Sequence, residues 1–141
     1  MSDDSLLMNE PKAEEMETTL VTAAVIRDGD RFFLAQRLDN GLWEFPGGKM
    51  RPGEDARAAL QREIREELGL EIRVREPLEV FTLQEPRHLV IIFFAADILH
   101  GSPRCIDCRD FSWVSRSRLD EPVMGRADRW VADRFHQGLL E

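Results

Sequence analysis

Glu54, Arg62, Glu63, Glu66 and Glu67 fall in or beside a stretch, Glu54 to Leu68, that is rich in good helix formers and free of proline. At roughly 100° per residue, Ala56, Leu60 and Ile64 make an apolar stripe on that helix, with Ala59 and Leu68 at its margins. Glu63 and Glu67 project from inside the stripe and Glu66 from its edge. Carboxylates three and four residues apart on one side of a helix repel one another, so positive charge is required among them. Hard divalent cations, which take oxygen ligands, meet that requirement. For a Glu-rich helix taken alone, the alternative is a solvated acidic face.

The residues around the helix favour the cation. Gly48, Glu54, and then Arg62-Glu63-Ile64-Arg65-Glu66-Glu67-Leu68-Gly69-Leu70 stand at spacings that resemble, at every defined position, the signature of the Nudix hydrolases. That signature is Gly, five residues, Glu, seven residues, Arg-Glu, an aliphatic, any residue, Glu-Glu, any residue, Gly and an aliphatic. The flank Leu42-Trp43-Glu44-Phe45-Pro46-Gly47-Gly48-Lys49 is similar to the MutT-like subgroup, which hydrolyses nucleoside triphosphates. A looser match runs from about Thr18 to Phe135.

The resemblance implies a set of roles. Glu63, Glu66 and Glu67, with the backbone carbonyl of Gly47, become ligands for Mg²⁺, or for Mn²⁺ in its place. Glu54 joins the same cluster through hydrogen bonds, and Arg62 orients the glutamates with a bidentate fork. Six residues before Trp113 lies Asp107, where the family often carries a further acidic ligand or base. The residue taking the proton from water stays open between Glu63, Glu67 and Asp107. Lys49 and Arg37 are expected to meet phosphate and Phe45 the base, with Gln36, Gly48 and Arg87 completing the substrate positions and His88 equally a core or surface residue. Asp128 lies fifteen residues after Trp113, where the MutT protein has an Asn that reads an oxidised guanine. As an ionised carboxylate it suits an amino donor such as cytosine N4; as an Asp at the start of a helix it also suits an N-cap.

The elements that must hold these groups can be read by pattern. Leu20 to Arg27 and Arg31 to Arg37 form a hairpin about Asp28-Gly29-Asp30. Trp43 to Phe45 is a short strand leading into a Gly47-Gly48 turn, and Gly69 is a left-handed helix cap. Ile72 to Val74, Leu78 to Leu83, His88 to Asp97 and Asp110 to Val114 are further strands. A closing helix from about Asp128 to Gln137 shows Trp130, Val131 and Phe135 as its apolar face. The result is a layered α/β protein with a mixed sheet, which the family resemblance sharpens to an α/β/α sandwich.

The first 17 residues hold −5 of the net charge of −8 and little that could build a core, so they are expected to be a disordered acidic tail preceding one domain over residues 18–141. No basic stripe suits a nucleic acid polymer. No secretion signal or membrane span is apparent, and the expectation is a cytoplasmic monomer or homodimer acting on a small nucleotide. Cys105-Ile106-Asp107-Cys108 has redox or half-zinc spacing, but no second pair of ligands stands at matching distance, so two free thiols are expected. Three functions remain: a nucleoside triphosphate pyrophosphohydrolase for a modified or cytosine-type base (8-oxo-dGTP, CTP or dCTP), a hydrolase of another linked diphosphate such as ADP-ribose or a dinucleoside polyphosphate, and a silent nucleotide-binding module.

Overall fold

Paired aromatic residues divide the interior. Phe32 and Phe33 are adjacent in one strand, as are Phe93 and Phe94 in another, and because neighbouring strand residues point to opposite faces they feed two cores on either side of one sheet. The computed structural model describes residues 17–141. The acidic tail expected over residues 1–17 lies outside the described residues, apart from Glu17.

The chain runs β1 (Thr18–Asp28), β2 (Arg31–Gln36), β3 (Trp43–Glu44), β4 (Gly47–Lys49), α1 (Ala56–Leu68), β5 (Glu71–Leu83), β6 (His88–His100), β7 (Asp110–Ser115), a short 3-10 turn and α2 (Arg126–His136). The sheet order is β3-β2-β1-β6-β5, with β4 paired to β1 and β7 to β2. Among the described strand pairs only β1 and β6 run parallel, in register from Thr18 opposite His88 to Ile26 opposite Ala96, so the sheet is mixed. One face packs Phe33, Ile26 and Phe94 under Leu60, Ile64 and Leu68 of α1; the other packs Phe32, Leu34, Phe45 and Phe93 under Val131, Ala132 and Phe135 of α2. This is the expected α/β/α sandwich.

Helix α1 begins two residues later than its propensity suggests, because the Asp55 carboxylate accepts from the Ala58 amide at 2.8 Å and caps it. It ends at Gly69, whose φ of 68° is the left-handed cap expected there. The two strands anticipated at Ile72 and Leu78 are one edge strand, β5, whose register against β6 shifts between Val74 and Pro77 and again between Pro77 and Glu79. Proline can remain at this edge because it lacks a ladder donor. In α2 the buried face is Ala127, Val131, Ala132 and Phe135; Trp130 is 36% exposed and lies against Phe81 at its margin.

Candidate active site

Gly47 and Gly48 form the strand β4 and not a turn, and the reason is space. A side chain on Gly47 would collide with the backbone of Thr22 in β1, and one on Gly48 with the carboxylate of Glu63. The two glycines thus let the sheet and α1 close on each other. Arg62 then ties the same elements together. Its Nε and Nη2 donate to Glu54 at 2.6 and 2.9 Å, its Nη1 donates to Glu63 at 2.8 Å and Glu66 at 3.0 Å, and Nη2 also reaches the Lys49 carbonyl at 3.0 Å. Glu54 accepts from the Arg51 amide as well, and these donors, Arg62 first, hold its carboxyl at about 2.

Beside this group a cleft of about 500 Å³ opens, a size that suits a small-molecule ligand. Gly47, Gly48, Lys49, Glu67, Asp107, Gln36, Arg37, Phe45, Arg87 and Asp128, which the sequence singles out, all line it. Glu54, Arg62, Glu63 and Glu66 do not; they stand behind Gly48, and Glu66 is exposed. Among the described residues no three His, Cys, Asp or Glu side chains converge in a ready metal cage, because Arg62 engages Glu63 and Glu66.

The donor set still fits a divalent cation. Burial raises the Glu67 carboxyl well above the usual range, and its hydrogen bond with Glu63 and the charges of Glu63, Glu44 and Asp107 push it the same way. Oxygen ligands that repel one another in a half-buried cleft gain most from a hard cation.

The sequence-derived substrate residues fare unevenly. Phe45 is 2% exposed, its ring edge-on to Phe93 in the core, so what it offers the cleft is backbone: its amide donates to Asp128 Oδ1 at 3.0 Å. That bond also settles the position of Asp128. Helix α2 starts at Arg126 with Gly125 as cap, so Asp128 lies inside the first turn and not at the cap position, and it lines the cleft. Arg37 is held by Asp39 at 2.7 Å and lies 3.6 Å from Glu44, and Gln36 donates to the Gly41 carbonyl. Lys49 and Arg87 are exposed at the rim. His88 bonds Thr18 at 2.6 Å across the β1–β6 pair and does not line the cleft.

Glu44 is the residue that sequence reasoning missed. It stands in β3 opposite Ala35, half-buried in the cleft wall, and burial with the neighbouring Asp128 charge raises its carboxyl to about 8. Burial likewise raises Asp128 to about 7, against the Phe45 amide and Arg37, which lower it. A charged residue inside the apolar flank Leu42-Trp43-Glu44-Phe45 was the available signal. The cysteines also correct an expectation. Cys105 and Cys108 are joined in a disulfide, since the turn between them brings their Cα atoms to 4.9 Å, within bridging range.

A carboxylate-lined, ligand-sized cleft where a glycine strand meets a glutamate-bearing helix describes a hydrolase of charged small molecules. The NUDIX domain model matches residues 17–134, most of the chain, and the chain belongs to the Nudix family, as a Nudix hydrolase of the MutT-like kind. It is 36% identical over 130 residues to the putative 8-oxo-dGTP diphosphatase 2 of Mycobacterium tuberculosis, covering 84% of this chain and 89% of that one. Over 65 residues it is 49% identical to the CTP pyrophosphohydrolase of Escherichia coli, covering 43% of this chain and 48% of the relative. The solution structure of the E. coli ORF135 protein superposes with a TM-score of 0.75 at 32% identity, covering 91% of this chain and 94% of that chain. Nudix hydrolases act on small nucleotide substrates and use divalent metal ions. No helix among the described residues is long and apolar enough to cross a membrane.

Proposed function

We propose that this protein hydrolyses a nucleoside triphosphate with a cytosine-type or modified base, such as CTP, dCTP or 8-oxo-dGTP, to the monophosphate and pyrophosphate in the cytoplasmic nucleotide pool. The observation that carries the reading is that one ligand-sized cleft is lined by Glu44, Glu67, Asp107 and Asp128 beside the Gly47-Gly48 strand. The charge of Asp128 acts on Glu44, and the charges of Glu44 and Asp107 both act on Glu67. Glu67 and Asp107, with Glu63, Glu66 and the Gly47 carbonyl, would hold Mg²⁺ or Mn²⁺. Bound there, such an ion would supply charge neutralisation for the phosphates and lower the pKa of water.

The chain's own residues do the rest. Arg62 holds Glu54, Glu63 and Glu66 in place through its hydrogen bonds. Lys49 and Arg87 are cations at the rim for the phosphates, while Arg37, already paired with Asp39, chiefly steadies Glu44. At neutral pH the Glu44 and Asp128 carboxyls lie close to their protonation midpoints, so together they present a donor and an acceptor. Cytosine offers the complement, an amino donor at N4 beside a ring-nitrogen acceptor. The relatives named for CTP and for 8-oxo-dGTP support a triphosphate substrate.

The test is a panel of CTP, dCTP, 8-oxo-dGTP, dGTP, ADP-ribose and diadenosine tetraphosphate with Mg²⁺ or Mn²⁺, assayed separately for pyrophosphate and phosphate. Pyrophosphate release from a triphosphate, at a kcat/KM at least about tenfold above the linked diphosphates, is expected, a gap of about 1.4 kcal/mol in transition-state binding. Preference for ADP-ribose or the dinucleotide overturns the reading, and turnover of no nucleotide returns the chain to a binding role.

A further inference from the structure

The disulfide closes a loop that touches the site from outside. Between β6 and β7, the Arg104 amide donates to the Leu68 carbonyl at 3.0 Å, and the Ile106 and Asp107 amides donate to the Glu67 carbonyl at 2.9 and 3.1 Å. These are the last carbonyls of α1, which the helix itself leaves without partners. On the far side, the Arg109 amide donates to the Gln36 carbonyl at 2.8 Å. The loop therefore bridges the helix that carries Glu67 and the strand that carries Gln36, with Asp107 between the bridge points and in the cleft. Cys108 packs against the core under α1 and lines the cleft, while Cys105 is exposed.

We propose that the Cys105–Cys108 bond is a redox-sensitive clasp that holds Asp107 and the last turn of α1 in working position, a modification site whose effect on turnover rests on the hydrolase reading above. Reduction breaks the Sγ–Sγ bond. A dithiol supplies two electrons and two protons, leaving two cysteine thiols, and closes to its own disulfide. Hydrogen peroxide reverses the step, taking the two electrons and two protons and leaving as water. The sulfur of exposed Cys105 gives a dithiol access, and a disulfide meeting a reducing compartment is characteristically transient or sensing. Reduction removes the one covalent constraint on the turn, leaving the Ile106 and Asp107 bonds to hold it at the protein surface.

Amide exchange of residues 104–109 in the full-length, metal-free protein, followed after peroxide and after dithiothreitol, tests the clasp without any substrate. Exchange of the Ile106 and Asp107 amides should quicken about tenfold or more on reduction, as the loop opens locally. Cys105→Ser should exchange at the reduced rate under both treatments. With Mg²⁺ and the best nucleotide, kcat of the wild type should fall several-fold on reduction, reversibly, and that of Cys105→Ser should ignore the reagent. Equal exchange in the two states, within about twofold, overturns the proposal, as does a Cys105→Ser protein that still responds to dithiothreitol. If no nucleotide is turned over in either state, the hydrolase reading fails and the exchange comparison still decides the clasp.

Discussion

Around Arg62, three glutamates are held by one guanidinium, and Glu54 stays ionised down to about 2. Around Asp128, carboxyls of the same chemistry are buried in the cleft wall, and that burial, only partly offset by Arg37, raises them to about 7 and 8. The first region carries its own counter-charge and is built before any ligand arrives. The second is neutralised by protons, and so stays responsive to whatever donor or acceptor enters. Glu67 stands between the two: it is hydrogen-bonded to Glu63 of the first and feels the charge of Glu44 of the second. A ligand in the cleft therefore meets Asp128, Glu44 and Glu67 directly, and the Arg62 group only through Glu67.

The sharpest break in that comparison is Glu67→Gln. It keeps the shape of a half-buried side chain and removes one charge from the cleft, so turnover should drop by about 10² or more at saturating Mg²⁺, the usual loss when charge stabilisation at a reacting phosphate disappears. Thermal unfolding of the metal-free protein should occur at an equal or higher temperature, because a carboxyl whose ionisation burial and its neighbours disfavour is gone. Near-normal turnover would remove Glu67 from the metal site.

Asp128→Asn probes the other region. The amide oxygen can still accept from the Phe45 amide, so the fold should hold, but the side chain can no longer ionise and its charge no longer acts on Glu44. The ratio of kcat/KM for dCTP to that for 8-oxo-dGTP should shift against dCTP by about fivefold or more, matching a lost or mismatched buried hydrogen bond of about 1 to 3 kcal/mol. A ratio unchanged within about twofold would take Asp128 out of base recognition.

The smallest expected effect is a pH dependence. Folding raises Glu44 from 4.5 to about 8 and Asp128 from 3.8 to about 7, so the folded chain binds more protons than the unfolded one between those limits. The associated stability is complete below the unfolded values and is lost as pH rises through about 7 to 8. The melting temperature of the metal-free protein should therefore fall by a few degrees between about pH 6 and pH 9. In Glu44→Gln that slope should flatten; an identical slope in the variant would assign the effect to other groups.

What the sequence disclosed follows the range of the forces involved. Arg62 and Glu66 are one helical turn apart and Glu63 follows Arg62 directly, so spacing alone places them together, and the Arg62 fork is where it was expected. The alternation of β1, β2 and β6 similarly yields the mixed sheet. Glu44 was hidden because its burial is made by remote partners: the Trp43 amide donates to the Val123 carbonyl, which brings the start of α2 and Asp128 against β3. For Asp128 the sequence left both a base contact and an N-cap open, because helix propensity does not register that the chain already turns helical at Arg126. The cysteine pair depended on a turn whose shape is fixed by bonds to Glu67 and Leu68, some forty residues earlier in the sequence.

The interrupted register of β5 has a consequence at larger scale. Thirteen residues of outer strand would otherwise offer a long, regular row of unpaired amides and carbonyls, a template on which a second molecule could add its own edge. Pro77 removes one amide from the strand, and the shifts on both sides of it change the spacing of the rest, so no straight ladder of useful length can grow outward. The outer edge of this acidic protein is thereby a poorer template for backbone pairing between molecules than an uninterrupted strand.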